Sequence, residues 1–319
     1  MAQYNIKVVP SGMEYLSDSN LLDDALLNAI HLEHSCKTGS CGACKAEVLD
    51  GIVENEESKE VGDGTILLCQ SKAKTDVIIK ANYYSELENI SIKTLPCKVS
   101  ALECPIENIA ILKLRLPPKS EFSYLPGQYI DLSYKGVKRS YSIANSKSDN
   151  DEIELHIRRV ESGEMSKFIF DKLQCNQLMR LEGPKGSFFV REGTKPIIFV
   201  ATGTGIAPVK AMVEDLISRS DKRSVFIYWG MRNEGDLYNT GLNNLAATHS
   251  NIEFKCILSQ GMLEAKYVQD ACLSDFVTLN DFDVYACGSL SMIESAQKLF
   301  VQNGLPEDAF HSDAFIPSK

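Results

Sequence analysis

Three rhythms of apolar and polar residues divide the chain. In the first stretch, 1–90, Ile6, Val8 and Val9 predict a strand and Ser11-Gly12 a turn. Ser17-Asp18-Ser19-Asn20 offers helix N-cap residues, and Leu22, Ala25, Leu26, Ala29 and Ile30 follow at helical spacing, giving one apolar face. Short strands are predicted over 44–48 and 76–80. The mostly polar stretch 82–93 reads as a linker.

The second stretch, 95–190, alternates: Ile109-Ala110-Ile111-Leu112-Lys113-Leu114-Arg115-Leu116, Gln128-Tyr129-Ile130-Asp131-Leu132 and Ile153-Glu154-Leu155-His156-Ile157. Pro-Pro, Pro-Gly and Gly-Pro pairs separate these segments. The pattern predicts a small antiparallel β-barrel with one helix over 166–173. The third stretch, 195–319, changes period. Ile197-Ile198-Phe199-Val200-Ala201 is a continuous apolar run, as a strand buried on both faces requires. A helix over 208–217 follows, and Val225-Phe226-Ile227-Tyr228-Trp229 and Val284-Tyr285-Ala286-Cys287 repeat the run. Strands alternating with helices predict a doubly wound α/β domain.

Composition adds little until charge is mapped. The 319 residues are 44% hydrophobic and 24% charged, which is ordinary for a globular protein. No apolar run reaches the ~18 residues of a membrane span, and the N-terminus shows no basic-then-apolar signal pattern, so a cytoplasmic location is expected. No internal repeat or low-complexity tract is visible. The net charge is −10, and residues 1–90 hold 7 Lys and Arg against 15 Asp and Glu, eight of those ten negative charges. That balance argues against nucleic acid. It suits either a basic protein partner for the first module or simply a solvated acidic face.

The chemistry-bearing residues begin with Ser35-Cys36-Lys37-Thr38-Gly39-Ser40-Cys41-Gly42-Ala43-Cys44 and the distant Cys69. The C-x4-C-x2-C spacing with a remote fourth cysteine is that of a plant-type [2Fe-2S] cluster. Gly39 and Gly42 allow the loop backbone angles that turn its N–H groups toward the sulfurs. Structural zinc would favour two C-x2-C pairs, and disulfides are not expected without a secretory signal. His31 and His34 flank the loop but are not needed as ligands, since four cysteines complete the coordination. Cys97, Cys104, Cys175, Cys256 and Cys272 have no ligand spacing.

Three further motifs follow in order. Arg139-Ser140-Tyr141-Ser142 ends a predicted barrel strand, after Pro126-Gly127-Gln128-Tyr129, and Gly163-Glu164-Met165-Ser166 stands at a predicted helix start. An arginine can neutralise phosphate, and a helix N-terminus presents free N–H groups to it. Thr202-Gly203-Thr204-Gly205-Ile206-Ala207-Pro208 lies between a buried strand and a helix, where glycines let a backbone approach a pyrophosphate. Cys287-Gly288-Ser289 ends a later strand; Cys287 reads either as a residue beside a nicotinamide or as a small packed hydrophobe.

Together these motifs resemble the ferredoxin–NADP reductase superfamily carrying an N-terminal plant-type ferredoxin, over essentially the whole chain. The resemblance implies a β-grasp ferredoxin domain (1–90), a six-stranded antiparallel β-barrel flavin domain (95–190) and an α/β nicotinamide domain (195–319). It implies that Cys36, Cys41, Cys44 and Cys69 hold the cluster. FAD is implied at Arg139, Tyr141, Ser142, His156, Arg158, Gly163, Met165, Ser166 and Phe315. The nicotinamide nucleotide is implied at Gly203, Thr204, Gly205, Pro208, Arg232, Asp236, Cys287 and Gly288, with Ser142 and Cys287 at the reacting rings. Asp236 and the Gln260 that follows Ser259 favour NADH, whereas Lys266 and Tyr267 point toward NADPH; NADH is expected.

Within the superfamily, Asn82-Tyr83-Tyr84-Ser85-Glu86-Leu87, Leu95-Pro96-Cys97-Lys98-Val99 and the tail Ser312-Asp313-Ala314-Phe315 resemble the reductases of 3,6-dideoxyhexose biosynthesis. That likeness implies an electron-acceptor partner, a pyridoxamine-phosphate dehydrase acting on a CDP-6-deoxy-4-hexulose. The competing expectations are the reductase component of a multicomponent oxygenase, which shares every strong motif, and a redox sensor or electron carrier without turnover. The complete nicotinamide module argues against the last, because a carrier needs no hydride source.

Overall fold

The computed structural model describes residues 2–147, 152–260 and 267–315. The chain forms two compact units, Met1–Ser91 and Ile92–Lys319. Among the described residues no helix is long and apolar enough to cross a membrane.

The first unit runs β1 (Tyr4–Val9), β2 (Glu14–Ser17), α1 (Leu21–Leu27), β3 (Lys45–Asp50), β4 (Val53–Glu54), β5 (Glu60–Val61), β6 (Gly64–Leu67), β7 (Lys72–Ala73) and β8 (Val77–Lys80). Its main sheet has the order β2-β1-β8-β3-β6, with β1 and β8 parallel, and β5-β4-β7 makes a small second sheet. Ile6, Val8, Val48 and Ile79 point from the sheet into one core with Leu21, Leu22 and Ala25 of α1. Asn20 caps α1, its side chain accepting from the Leu22 and Asp23 amides. The buried Asp24 carboxylate accepts from the Ser17 and Ser19 hydroxyls and the Asp18 and Ser19 amides, fixing the approach to the helix.

Two expectations need correction here. The helix stops at Leu27, short of Ala29 and Ile30. Ala29 takes a left-handed φ of 58°, the Ala29 amide donates to the Leu26 carbonyl and the Ile30 amide to that of Ala25. This is a Schellman closure with alanine where glycine is usual, and it still delivers Ile30 to the core. The stretch 82–93, expected as a linker, is tied down at its start. Leu32 and Tyr83 form a β-bridge, the Glu33 amide donates to Asn82 O, and the Tyr84 amide donates to His31 O. Tyr83 also packs on the core, so the stretch is stitched to the residues just ahead of the cysteine loop.

The second unit holds both remaining architectures. Its barrel consists of β9 (Lys93–Ile106), β10 (Ile109–Arg115), β11 (Tyr129–Tyr134), β12 (Val137–Ser142), β13 (Glu152–Arg158), α2 (Glu164–Asp171) and β14 (Leu178–Lys185). The six strands are antiparallel in the order β12-β11-β14-β9-β10-β13. An Ile143–Leu155 bridge and the Ala144 amide, which donates to Glu154 O, join the two edges. The barrel buries Leu112, Leu114, Ile130, Leu132, Leu155 and Leu181.

Then follow β15 (Ile197–Thr202), α3 (Ile206–Ser218), β16 (Val225–Met231), α4 (Leu242–Thr248), β17 (Ile252–Leu258), α5 (Val268–Asp275), β18 (Asp283–Gly288), α6 (Leu290–Gln302) and β19 (Phe310–Ala314). These five strands are parallel in the order β17-β16-β15-β18-β19. Helix α3 starts two residues before the expected position, with Pro208 in its first turn, where a missing N–H costs nothing. Barrel and sheet share apolar surface: Ile109 of β10 is buried in the α/β core with Phe188, Phe199 and Met212. The connection between them is also pinned, because the Arg191 amide donates to the Tyr285 hydroxyl and its guanidinium to Ser187 O.

Ile79 is fully buried on the central strand β8, between β1 and β3. Ile79→Ala is expected to destabilise the first unit by about 2–5 kcal/mol. Urea titration of wild type and variant, followed by hydrogen exchange of the β1, β3 and β8 amides, reads this directly.

Candidate functional site

The cysteine loop leaves the end of the α1 connection and returns into β3, with Cys69 delivered by the turn after β6. The four thiols lie in two pairs. Cys44 Sγ donates to Cys69 Sγ at 3.2 Å, and the Cys41 thiol donates to Cys36. Those donors bring the Cys36 and Cys69 thiols down against burial, while their partners Cys41 and Cys44 are pushed up. Backbone amides also converge on sulfur: Thr38 donates to Cys36 at 3.4 Å, Gly39 to Cys69 and Ala43 to Cys41. Gly39 needs its glycine, since its φ is 79° and a Cβ would stand 2.9 Å from Gln70 Cγ. Among the described residues no three His, Cys, Asp or Glu side chains converge on one point as a single metal ion requires. Two thiol pairs ringed by N–H donors fit a two-iron centre, in which four thiolates are shared between two metals. His34 is buried, with Nδ1 2.8 Å from Leu32 O, and stands outside this set.

On the barrel, Arg139 and Tyr141 lie opposite Leu132 and Ile130 and so share one face of β12, where both are half-buried. Ser142, the last residue of β12, projects the other way and is buried. The start of α2 has Gly163 as N-cap and no side-chain cap, which leaves backbone N–H groups as its polar feature. The Met165 and Ser166 side chains turn inward, and the Ser166 hydroxyl accepts from the Val160 amide at 2.8 Å. These two residues build the helix entry rather than an open face. Arg158 is exposed at the end of β13, its Nη1 3.9 Å from where a methyl on Gly203 would be.

The strand order of the α/β sheet reverses between β15 and β18, which opens a crevice beyond their carboxyl ends. The loops there touch closely. A Cβ on Gly205 would lie 2.3 Å from Cys287 O, and one on Gly288 2.2 Å from Thr202 Oγ1. The Ser289 amide donates to Thr202 Oγ1, and the Phe315 amide donates to Gly288 O at 2.8 Å, so the half-exposed Phe315 is tethered to the crevice. Gly203 and Thr204 are partly open, whereas Gly205 and Pro208 are packed. Arg232 is exposed and Asp236 half-buried beyond the end of β16. Tyr267 is exposed; Lys266 lies outside the described residues. Cys287 differs from the expectation of a reacting-ring residue. Its side chain has no exposed surface, burial raises its thiol well above the ordinary value, and it sits in the α/β core, so the packed reading is the one displayed.

His156 also departs from its expected place against a cofactor, because both ring nitrogens are committed inside the protein. Nε2 is 3.0 Å from Glu154 Oε1 and Nδ1 is 2.9 Å from the Tyr238 hydroxyl. Lys210 of α3 completes the group, with Nζ 3.1 Å from Glu154 Oε1, 2.7 Å from Glu214 Oε1 and 3.1 Å from Ala144 O. Burial would raise the Glu154 carboxyl; the His156 hydrogen bond and the Lys210 charge overcome it and bring the group down to about 2. Glu154 and Lys210 were not read from the sequence as site residues. The available signal was a Glu and a His on the polar face of an alternating strand.

The chain matches three domain families: a 2Fe-2S iron-sulfur cluster binding domain over residues 6–74, an oxidoreductase FAD-binding domain over 96–190 and an oxidoreductase NAD-binding domain over 199–298. It is 48% identical to the CDP-6-deoxy-L-threo-D-glycero-4-hexulose-3-dehydrase reductase of Yersinia pseudotuberculosis, covering 99% of each chain. It is 45% identical to Protein RfbI of Salmonella typhimurium, over 98% of this chain and 97% of that one. The solved Amycolatopsis cytochrome P450 reductase GcoB shares the fold, with a TM-score of 0.78 over 98% and 99% of the two chains at 24% identity.

The depressed Glu154 group sets a pH dependence. Its contribution is fully present above the ordinary carboxyl value near 4.5 and is lost as pH falls toward about 2. Glu154→Gln removes it, so wild type should exceed the variant by about 1.5–3 kcal/mol at neutral pH. The difference should shrink from pH 5 to pH 3. Trp229, the single tryptophan, stacks edge-on with Tyr238 at 5.3 Å, and its fluorescence reports unfolding at this spot.

Proposed function

We propose an acceptor for this chain, which belongs to the family of CDP-6-deoxy-L-threo-D-glycero-4-hexulose-3-dehydrase reductases: a pyridoxamine-phosphate dehydrase that deoxygenates a CDP-6-deoxy-4-hexulose. The protein is an NAD(H)-dependent iron–sulfur flavoprotein oxidoreductase that passes electrons from NADH through FAD and a [2Fe-2S] cluster to a protein acceptor. When bound, the flavin takes up hydride as an electron pair and releases electrons one at a time, which matches a two-electron donor to a one-electron cluster.

The chain's own residues have separable tasks in this reading. Cys36 with Cys41, and Cys44 with Cys69, hold the two irons. Arg139 neutralises flavin phosphate, Tyr141 offers its ring, and the uncapped start of α2 faces the pyrophosphate. The crevice between β15 and β18 takes the nicotinamide nucleotide, with Gly203 and Thr204 at its pyrophosphate and Phe315 over the flavin side. Asp236 stands where a carboxylate favours a free ribose hydroxyl, supporting NADH. The observation that carries the choice of acceptor is likeness to the Yersinia reductase along the whole chain, the acidic first unit included.

Cys41→Ser should abolish the native cluster signal in electron paramagnetic resonance and stop delivery to the dehydrase. It should leave NADH-to-ferricyanide turnover within about twofold of wild type, since the flavin and nicotinamide sites lie wholly in the second unit. Loss of both activities in a folded, FAD-loaded variant would overturn the linear path.

The acceptor itself is tested by NADH consumption with the dehydrase and its CDP-sugar, at low and high salt. Stimulation that weakens as salt rises is expected, because the −8 charge of residues 1–90 steers toward a basic surface and is screened over about 8 Å at physiological ionic strength. No stimulation would promote the oxygenase-reductase reading. Stimulation without a salt effect would keep the pathway and discard the electrostatic docking.

A further inference from the structure

We propose that Glu154, His156, Tyr238 and Lys210 form a positioning device that sets how closely the dinucleotide loop stands to the flavin barrel. The inference rests on the reading that FAD binds the barrel and NAD(H) the crevice. Two arms reach the same loop. In the first, Glu154 and His156 on β13 hold the Tyr238 hydroxyl; Tyr238 meets Trp229 edge-on at 5.3 Å; and Trp229 Nε1 donates to Gly203 O at 2.9 Å. In the second, Lys210 sits one turn into α3, the helix that springs from Gly203–Gly205, and its ammonium bonds Glu154 and Ala144 O of the barrel. Glu214, a turn further on, accepts from the Ser146 amide.

The chemistry of the ties argues for positioning over adhesion. Ile109 and Phe188 already bury apolar surface between barrel and sheet, and that attraction has no direction. Hydrogen bonds to a carboxylate do have direction, and an ion pair largely withdrawn from water adds little net stability over apolar contact. Glu154 accepts only, so the His156 proton sits on Nε2, and in the neutral ring Nδ1 accepts from Tyr238. Each partner thereby dictates the orientation of the next, from β13 to the Gly203 carbonyl. Because β13 also carries Arg158 to within 3.9 Å of the Gly203 Cβ position, a shift along this chain moves the loop against the flavin side directly.

Tyr238→Phe keeps the ring on Trp229 and removes only the hydroxyl; Lys210→Met removes the ammonium; Lys210→Arg is the rescue. Holoenzyme of each is loaded with FAD and mixed with NADH. Misplacement by a fraction of an ångström is expected to slow flavin reduction at saturating NADH by about tenfold or more in the first two variants, with KM for NADH within about twofold. The long-wavelength charge-transfer absorbance of the nicotinamide–flavin pair should fall with it. Backbone amides of 203–207, 209 and 210 should exchange hydrogen faster, and Lys210→Arg should recover most of what Lys210→Met loses. Unchanged flavin reduction and unchanged exchange would overturn the proposal. So would a raised KM with normal charge-transfer absorbance, which assigns the network to binding alone. Failure of wild type to bind FAD or NADH would instead refute the underlying site assignment, and the exchange measurement on 203–210 would still decide whether the network holds the loop.

Discussion

A carboxylate largely withdrawn from water keeps its charge only if its partners are delivered with it. Glu154 meets that constraint by drawing on two architectures at once: His156 from its own barrel strand, and Lys210 from the first helix of the α/β sheet. The barrel closes where the Glu154 carbonyl accepts from Ala144, and Ala144 O in turn accepts from Lys210. Strand pairing, barrel closure and helix placement therefore share one set of atoms. The close fit of Gly205 on Cys287 O and of Gly288 on Thr202 then fixes the crevice where the sheet order reverses. Any side chain there larger than hydrogen would push the two loops apart and open the floor of the site.

The first unit obeys a different constraint. Four thiols that must all give up protons need N–H donors to stabilise the resulting charge. The loop supplies them from Thr38, Gly39 and Ala43. Its neighbours are held still by Asp24, which gathers residues 17–19, and by the Leu32–Tyr83 bridge. The stretch after β8 is thus part of the framework behind the cysteines.

Much of this was legible in the sequence because periodicity and spacing report local physics. The 2-residue alternation of 109–116, the unbroken apolar run of 197–201 and the C-x4-C-x2-C loop each correspond to one element with one geometry. What escaped was whatever depends on tertiary context. Nothing local shows that Ala29 will take a left-handed angle, or that Tyr83 will pair with Leu32. His156 stands in sequence only among the residues the resemblance implies for FAD; the fold alone shows the Tyr238 hydroxyl, eighty-two residues away, at its Nδ1. Cys287 presented two readings with identical local sequence, and only its burial separates them. Glycine positions were readable as a loop, but the reason for Gly205 and Gly288 lies in atoms of Cys287 and Thr202 on the facing segments.

The central claim is an order of events: electrons enter as a pair at the second unit and reach the cluster of the first one at a time. Rapid mixing of the anaerobic holoprotein with one equivalent of NADH, followed in parallel by visible absorbance and freeze-quench electron paramagnetic resonance, tests it directly. Flavin bleaching that precedes growth of the [2Fe-2S] signal, with the second phase taking its electrons from the first, is the predicted result. A cluster signal that rises before the flavin bleaches, or in protein stripped of FAD, would contradict the account.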